Sequence, residues 1–218
     1  MTLRVSLLLL VVFLTTAACS MLPVGESGSP APPLPENVLF QDDFSDPSSG
    51  WDRVSEPEGI TDYYDGVYRI FVNTINQDVL SNPGLPFSDV RIEVDTAKVG
   101  GSDDNDFGVV CRFQDLDNFY FFIISSDGYY GIGKVFEGQQ SLIGSESMLP
   151  SEVIRQGDTT NHMRADCIGS RLSLYINDEF LAQYEDADLV SGDVGLIAGT
   201  IVSPGTDIHF DNFKVLKP

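Results

Sequence analysis

Glu93-Val-Asp95 sets two carboxylates two residues apart, and on a strand that spacing shows both on one face. Paired carboxyl groups do acid/base and nucleophilic work, glycoside hydrolysis above all, whose retaining form needs them about 5–5.5 Å apart. The positions that could extend the pair are Ala97 and Lys98, so no further acid completes it on this strand. The plainer reading is the solvated face of an amphipathic strand. No Gly-x-Ser-x-Gly elbow or His-x-x-x-His pair occurs, and neither His162 nor His209 has a Cys or His partner near in sequence. Ser102-Asp-Asp-Asn-Asp106 and Asp115-Leu-Asp-Asn118 carry hard oxygen ligands suited to Ca²⁺. Both lack the glycine and glutamate spacing of an EF-hand, and turn formation accounts for them equally well.

A second constellation lies in the aromatic-dense run Asp117–Lys134. Pairing Phe107–Phe113 with Phe119–Ser125 across a Gln114–Asn118 turn sets Arg112 opposite Tyr120 and Cys111 opposite Phe121. Pairing forward across Asp127-Gly128 sets Tyr120 opposite Lys134. The expectation is that Arg112, Tyr120 and Lys134 line an open concave face. The ring would stack on a sugar, and the cations would hydrogen-bond hydroxyls or a uronate carboxylate. Phe119, Phe121 and Ile123 then enter the core with Cys111, so Tyr120 should be partly exposed and Phe121 nearly buried. The competing reading has the two cations neutralising acids such as Asp115 and Asp117. Cys111 and Cys167 both fall on inward faces, which in an exported chain suggests a disulfide. Two buried, unreactive thiols are the alternative.

The elements that must position these residues are strands. Short apolar or alternating runs separated by turn residues recur about a dozen times from Val38 to Leu216, and no stretch has a convincing helical period. Asp65-Gly66 and Asp127-Gly128 sit where tight hairpins need positive φ. The reading is an all-β sandwich of two antiparallel sheets over residues 37–218. Before it, Ser20–Glu36 holds five prolines, three serines and two glycines, a spacer that cannot build a core. Residues 1–18 read as a signal peptide. The apolar run Val5–Leu14 spans about 15 Å as a helix, half of what a bilayer core needs. Thr16-Ala17-Ala18-Cys19 resembles a bacterial lipobox, with Thr16 where Leu is preferred. The resemblance implies lipidation at Cys19, a membrane tie through lipid alone, and an extracytoplasmic, envelope location.

The chain has 33 acids against 12 Lys plus Arg, and losing residues 1–18 removes only Arg4, so 33 − 11 leaves −22. Such a field repels nucleic acid and anionic headgroups and excludes nucleic-acid function.

Several segments carry a family resemblance in their order and spacing. They are Phe40-Gln-Asp-Asp-Phe44, Phe107-Gly-Val-Val-Cys-Arg112, Asp117-Asn-Phe-Tyr120, Ser126-Asp-Gly-Tyr-Tyr130 and Ala165-Asp-Cys-Ile-Gly-Ser170. Leu174-Tyr-Ile-Asn177, Gly192-Asp-Val-Gly-Leu196 and Phe210-Asp-Asn-Phe213 complete the set. Together they resemble the concanavalin A-like lectin/glucanase superfamily, nearest to the laminin-G-like and 3-keto-disaccharide hydrolase-type domains of bacterial lipoproteins. The resemblance covers Asn37–Pro218 and implies a jelly roll with one concave, often glycan-holding face. Asn177-Asp178 departs from the usual Asn-Gly hairpin. Retaining glycosidases of the superfamily spell Glu-x-Asp-x-Glu, and Ala97 breaks that pattern here. The superfamily's structural Ca²⁺ would correspond to Asp211, the Asp42-Asp43 segment and the Gly66 carbonyl. The function expected from these readings is non-catalytic recognition of a carbohydrate or surface polymer. A glycoside-processing enzyme, or a surface domain with no dedicated ligand, is the alternative.

Overall fold

The computed structural model describes residues 34–218; the leader, Cys19 and most of the spacer lie outside the described residues. Alternating apolar and polar residues make the chain extend, and it does so seventeen times. The first strands are β1 (Val38–Asp42), β2 (Val54–Glu56), β3 (Gly59–Tyr64), β4 (Val67–Val72), β5 (Gln77–Ser81) and β6 (Pro86–Phe87). Then come β7 (Val90–Gly100), β8 (Asn105–Asp115), β9 (Asn118–Ile124), β10 (Tyr129–Phe136), β11 (Gln139–Leu142) and β12 (Leu149–Pro150). The last are β13 (Thr160–Ile168), β14 (Arg171–Ile176), β15 (Glu179–Glu185), β16 (Gly192–Thr200) and β17 (Thr206–Leu216). The additional strands, β2, β3, β5, β6 and β12, are short or interrupted by acids, which hides their period from the sequence.

They form two antiparallel sheets. One has nine strands in the order β15-β14-β13-β7-β17-β4-β3-β2, with β1 also on β17. The other has eight, ordered β11-β10-β9-β8-β16-β5, with β12 on β10 and β6 on β16. Asp65 and Gly66 take φ of 49° and 81° at the β3–β4 hairpin, the primed turn that an Asp-Gly pair favours. Asn177 and Asp178 do the same at β14–β15 without a glycine, at φ of 52° and 68°. The Asn177 carboxamide offsets that strain by bonding the Val153 carbonyl, Asn161 and the His162 amide.

The core between the sheets takes the inward residues of both, among them Ile92, Val94, Phe107, Val109, Phe122, Leu172, Leu174, Leu196, Phe210 and Phe213. Cys111 of β8 and Cys167 of β13 are joined by a disulfide that ties one sheet to the other through this core. A link across 56 residues removes about 4 kcal/mol of chain entropy from the unfolded state.

The face assignment of β9 is reversed from the sequence expectation. Cys111 pairs with Tyr120, not Phe121, because β8 bulges between Cys111 and Asp115, with Arg112 at φ 52°. Tyr120 lies wholly inside the main core, at 0% exposure. Phe119, Phe121 and Ile123 turn to the outer side of the eight-stranded sheet, where Val110, Val135 and Ile197 join them in a separate apolar cluster. Phe121 is nevertheless only 2% exposed. Its ring occupies the space above Gly133, where a Cβ would come within 2.2 Å of it.

Candidate functional site

The three residues expected to form a ligand row do converge, but on the protein's own chain. Arg112 is 2% exposed and donates to the carbonyls of Leu189 and Gly169, both at 2.7 Å. The Tyr120 hydroxyl donates to Asp186 at 2.6 Å and accepts the Leu189 amide at 3.1 Å. Lys134, opposite Tyr120, pairs with Asp186 and Asp188. Burial and then the Asp186 carboxylate push the Tyr120 hydroxyl up to about 12, so it stays a donor. Burial alone would raise Asp186, but the bonds from Lys134 and Tyr120 outweigh it and hold the carboxylate below its ordinary range. The set is a clamp on the Asp186–Leu189 segment, and the ring has no open face for a sugar. The acids neutralised are therefore Asp186 and Asp188, with Asp89 beside Arg112, and not Asp115 or Asp117.

The other singled-out acids are largely committed too. Asp103 and Asp158 pair with Lys98 at 2.6 and 2.7 Å, and Asp115 caps its own turn through the Asp117 amide and Asn118. Asp42 accepts from Phe44, Ser49 and the Trp51 indole. Asp43 and Asp42 border a depression with Asn212 and Lys214, whereas Asp211 and Gly66 are not on its rim. Asp43 Oδ1 is taken by Ser45, and Asp211 Oδ1 by the Asn212 amide. With the Gly66 carbonyl they would offer three oxygens of the six to eight Ca²⁺ takes. Among the described residues no group of three or more His, Cys, Asp or Glu is arranged for a metal.

Two carboxyls do meet elsewhere. Asp78 of β5 and Asp106 of β8 flank Gly199 of β16. A Cβ at that glycine would come within 2.2 Å of Asp78 and 2.7 Å of Asp106. Burial, then the Asp78 charge, pushes Asp106 up to about 8, and burial raises Asp78 as well. Two carboxyls beside one glycine, both raised by burial, favour keeping a proton on Asp106 through neutral pH.

On the nine-stranded sheet, alternation delivers Glu93 and Asp95 to the outer face as a solvated pair with basic neighbours. Register places Phe180, Tyr175, Arg164, Glu93 and Lys214 side by side across five strands. The adjoining row is Gln183, Ser173, Asp166 and Arg91. Asp95 holds His162 Nδ1 at 2.7 Å, and among the described residues no hydroxyl or thiol bonds that histidine to make it a nucleophile's base.

The two rows enclose a depression of about 240 Å³ whose lining includes Arg91, Arg164 and Arg171, three of the eleven Lys and Arg that follow Cys19. Asp166 is 6% exposed and receives both Arg91 and Arg164 through their Nε–Nη2 edges, at 2.6 to 3.3 Å. Burial would raise this carboxyl, but the two arginines outweigh burial and hold it below the ordinary range. Arg164 also lies 4.1 Å from the Tyr175 ring centroid, and Tyr175 meets Phe180 edge-on at 5.4 Å. Phe180, on the edge strand β15, is 56% exposed. The result is a rigid donor array beside an open aromatic edge. The sequence reading missed these residues. Their signal was the alternation in His162-x-Arg164-x-Asp166 and Ser173-x-Tyr175, which becomes a site only when four strands are set in register.

No protein-family model matches the chain, and no curated protein matches it significantly. Solved structures do match. A carbohydrate binding module, CBM66, from Bacillus subtilis superposes with a TM-score of 0.52 at 19% identity, over 78% of this chain and 96% of that one. A Bacillus subtilis protein of unknown function with a galectin-like fold gives 0.61 at 12% identity, over 83% and 96%. The catalytic domain of a laminarinase, an endo-1,3-beta-glucanase, from Thermotoga petrophila gives 0.58 at 8% identity, over 83% and 97%. At these identities the likeness is one of fold, and the fold is a jelly-roll-like sandwich of the concanavalin A kind.

Proposed function

We propose that this domain binds a carbohydrate polymer without cleaving it, through the outer face of β7, β13, β14 and β15. The observation that carries the reading is the Asp166-locked arginine pair beside the Tyr175–Phe180 rings. Sugars are recognised by a flat apolar ring against one face and fixed hydrogen-bond donors around the rim. The neighbours named a carbohydrate binding module and a laminarinase catalytic domain lend support, because both place carbohydrate chemistry on this fold. A non-catalytic role is favoured by Glu93 standing between Arg164 and Lys214, with Ala97 where a second glutamate would have to stand. Lipid attachment at Cys19 would hold the domain at the cell envelope, and its negative field would keep nucleic acid away. A Ca²⁺ ion at Asp43, Asp211 and Gly66 would serve structure alone. Affinity electrophoresis through gels containing laminarin, xylan, levan or polygalacturonate tests the reading. Retardation by at least one polymer, lost in Phe180→Ala, is expected. Unretarded migration in every gel, or retardation unchanged in Phe180→Ala, would refute it.

A further inference from the structure

The depression is rich in donors and poor in acceptors. Asp166 spends both oxygens on four bonds from Arg91 and Arg164. Ser173 donates to Gln183 Oε1 at 3.3 Å, which takes one of that oxygen's two lone pairs, and among the described residues no acceptor takes Gln183 Nε2. Arg91 and Arg164 use only their Nε–Nη2 edges on Asp166, and among the described residues no protein acceptor takes Nη1 of either. Arg171 lies exposed on the rim. The ionisable lining is three arginines against one aspartate, +2 in a chain of −21. A neutral sugar hydroxyl gives one proton and takes others, so it is matched by mixed donors and acceptors. A site whose strong acceptors are already used matches a group that only accepts.

We infer that the ligand is a carboxylated glycan, a polymer of uronic acid residues, with its carboxylate held by Nη1 of Arg91 and Arg164 and by Arg171. This rests on the glycan-binding reading above and names its substrate class. A planar carboxylate fits guanidinium edges, and Asp166 sets both guanidiniums before the ligand arrives, so little side-chain freedom is lost on binding. Tyr175, packed under Arg164, keeps that plane from turning away. The overall negative charge repels acidic polymers everywhere except at such a patch, which sharpens selection for this face.

The test measures binding of the full-length chain to polygalacturonate, to the same polymer with its carboxyls reduced to alcohols, and to dextran sulfate. Arg164→Gln and Arg171→Gln are run alongside. Among the described residues the Arg171 side chain makes no hydrogen bond or ion pair, so its variant keeps the test open if Arg164→Gln fails to fold. Polygalacturonate should bind, and carboxyl reduction or either substitution should weaken it by roughly tenfold or more. Equal binding of the reduced polymer, or full affinity in Arg171→Gln, would overturn the acidic-ligand assignment while leaving glycan binding intact. Dextran sulfate binding as tightly as polygalacturonate would overturn the carboxylate in favour of anions in general. Failure of polygalacturonate in both forms, with every neutral polymer also unbound, would remove the glycan reading itself.

Discussion

Asp106→Asn should make the folded chain more stable at mildly alkaline pH and leave it unchanged near pH 4. In the native protein burial and the Asp78 charge beside Gly199 raise Asp106 to about 8, against 3.8 when unfolded. Below pH 3.8 both states carry the proton and nothing is lost. As pH rises, the unfolded chain releases its proton first, so native stability falls until pH passes about 8. At about 1.4 kcal/mol per unit, a shift from 3.8 to about 8 sets a ceiling of about 6 kcal/mol. The carboxyl is only partly screened from solvent by area, so a loss of about 2–4 kcal/mol is the working expectation. Asparagine is neutral at every pH and still donates to Asp78, so it keeps the contact and discards the titration. Urea unfolding from pH 4 to 9, disulfide intact, reads the difference. Asp193, also raised by burial, leaves a residual slope in both proteins that cancels on subtraction. Parallel profiles for native chain and variant would show that no proton is held at this pair.

Tyr120→Phe removes the bonds to Asp186 and Leu189 while keeping the ring, and should cost about 1–3 kcal/mol by urea midpoint. A variant as stable as the native chain would mean the clamp on that segment is slack. Replacing both Cys111 and Cys167 with Ser should cost about 4 kcal/mol, checked by the same titration; native stability in the double variant would contradict the cross-sheet tie. Cys19→Ala should shift the protein from the membrane fraction to the soluble one, and persistence in the membrane fraction would dismiss the lipid anchor. Ca²⁺ in excess should raise the melting temperature over that in EGTA if Asp43, Asp211 and Gly66 hold an ion. Superimposable melting curves would retire that site.

Much of the fold was legible in the chain because β structure announces itself locally. Asp65-Gly66 needs only its own backbone preference to make a hairpin, and β7 and β13 alternate cleanly because one face meets the core and the other water. Cys111 and Cys167 were readable as inward-facing from that same alternation. β9 was not, since apolar residues occupy both its faces and hydropathy cannot say which side looks at the other sheet.

What the sequence determined by itself was the all-β class, the hairpins, the acidity, and the inward faces of strands with one wet side. These follow from propensity and alternation, which act over two to five residues. Only the tertiary structure decided the rest. The bulge at Arg112 moved the pairing of β8 with β9 and sent Tyr120 inward. Gly199, unremarkable in sequence, brought Asp78 and Asp106 together by having no side chain to part them. The arginine-lined face exists because β13 pairs with β7 on one edge and β14 on the other, uniting residues far apart along the chain. Register across a sheet is a long-range outcome of packing and of where a bulge falls, and one step of slip exchanges every inside for an outside.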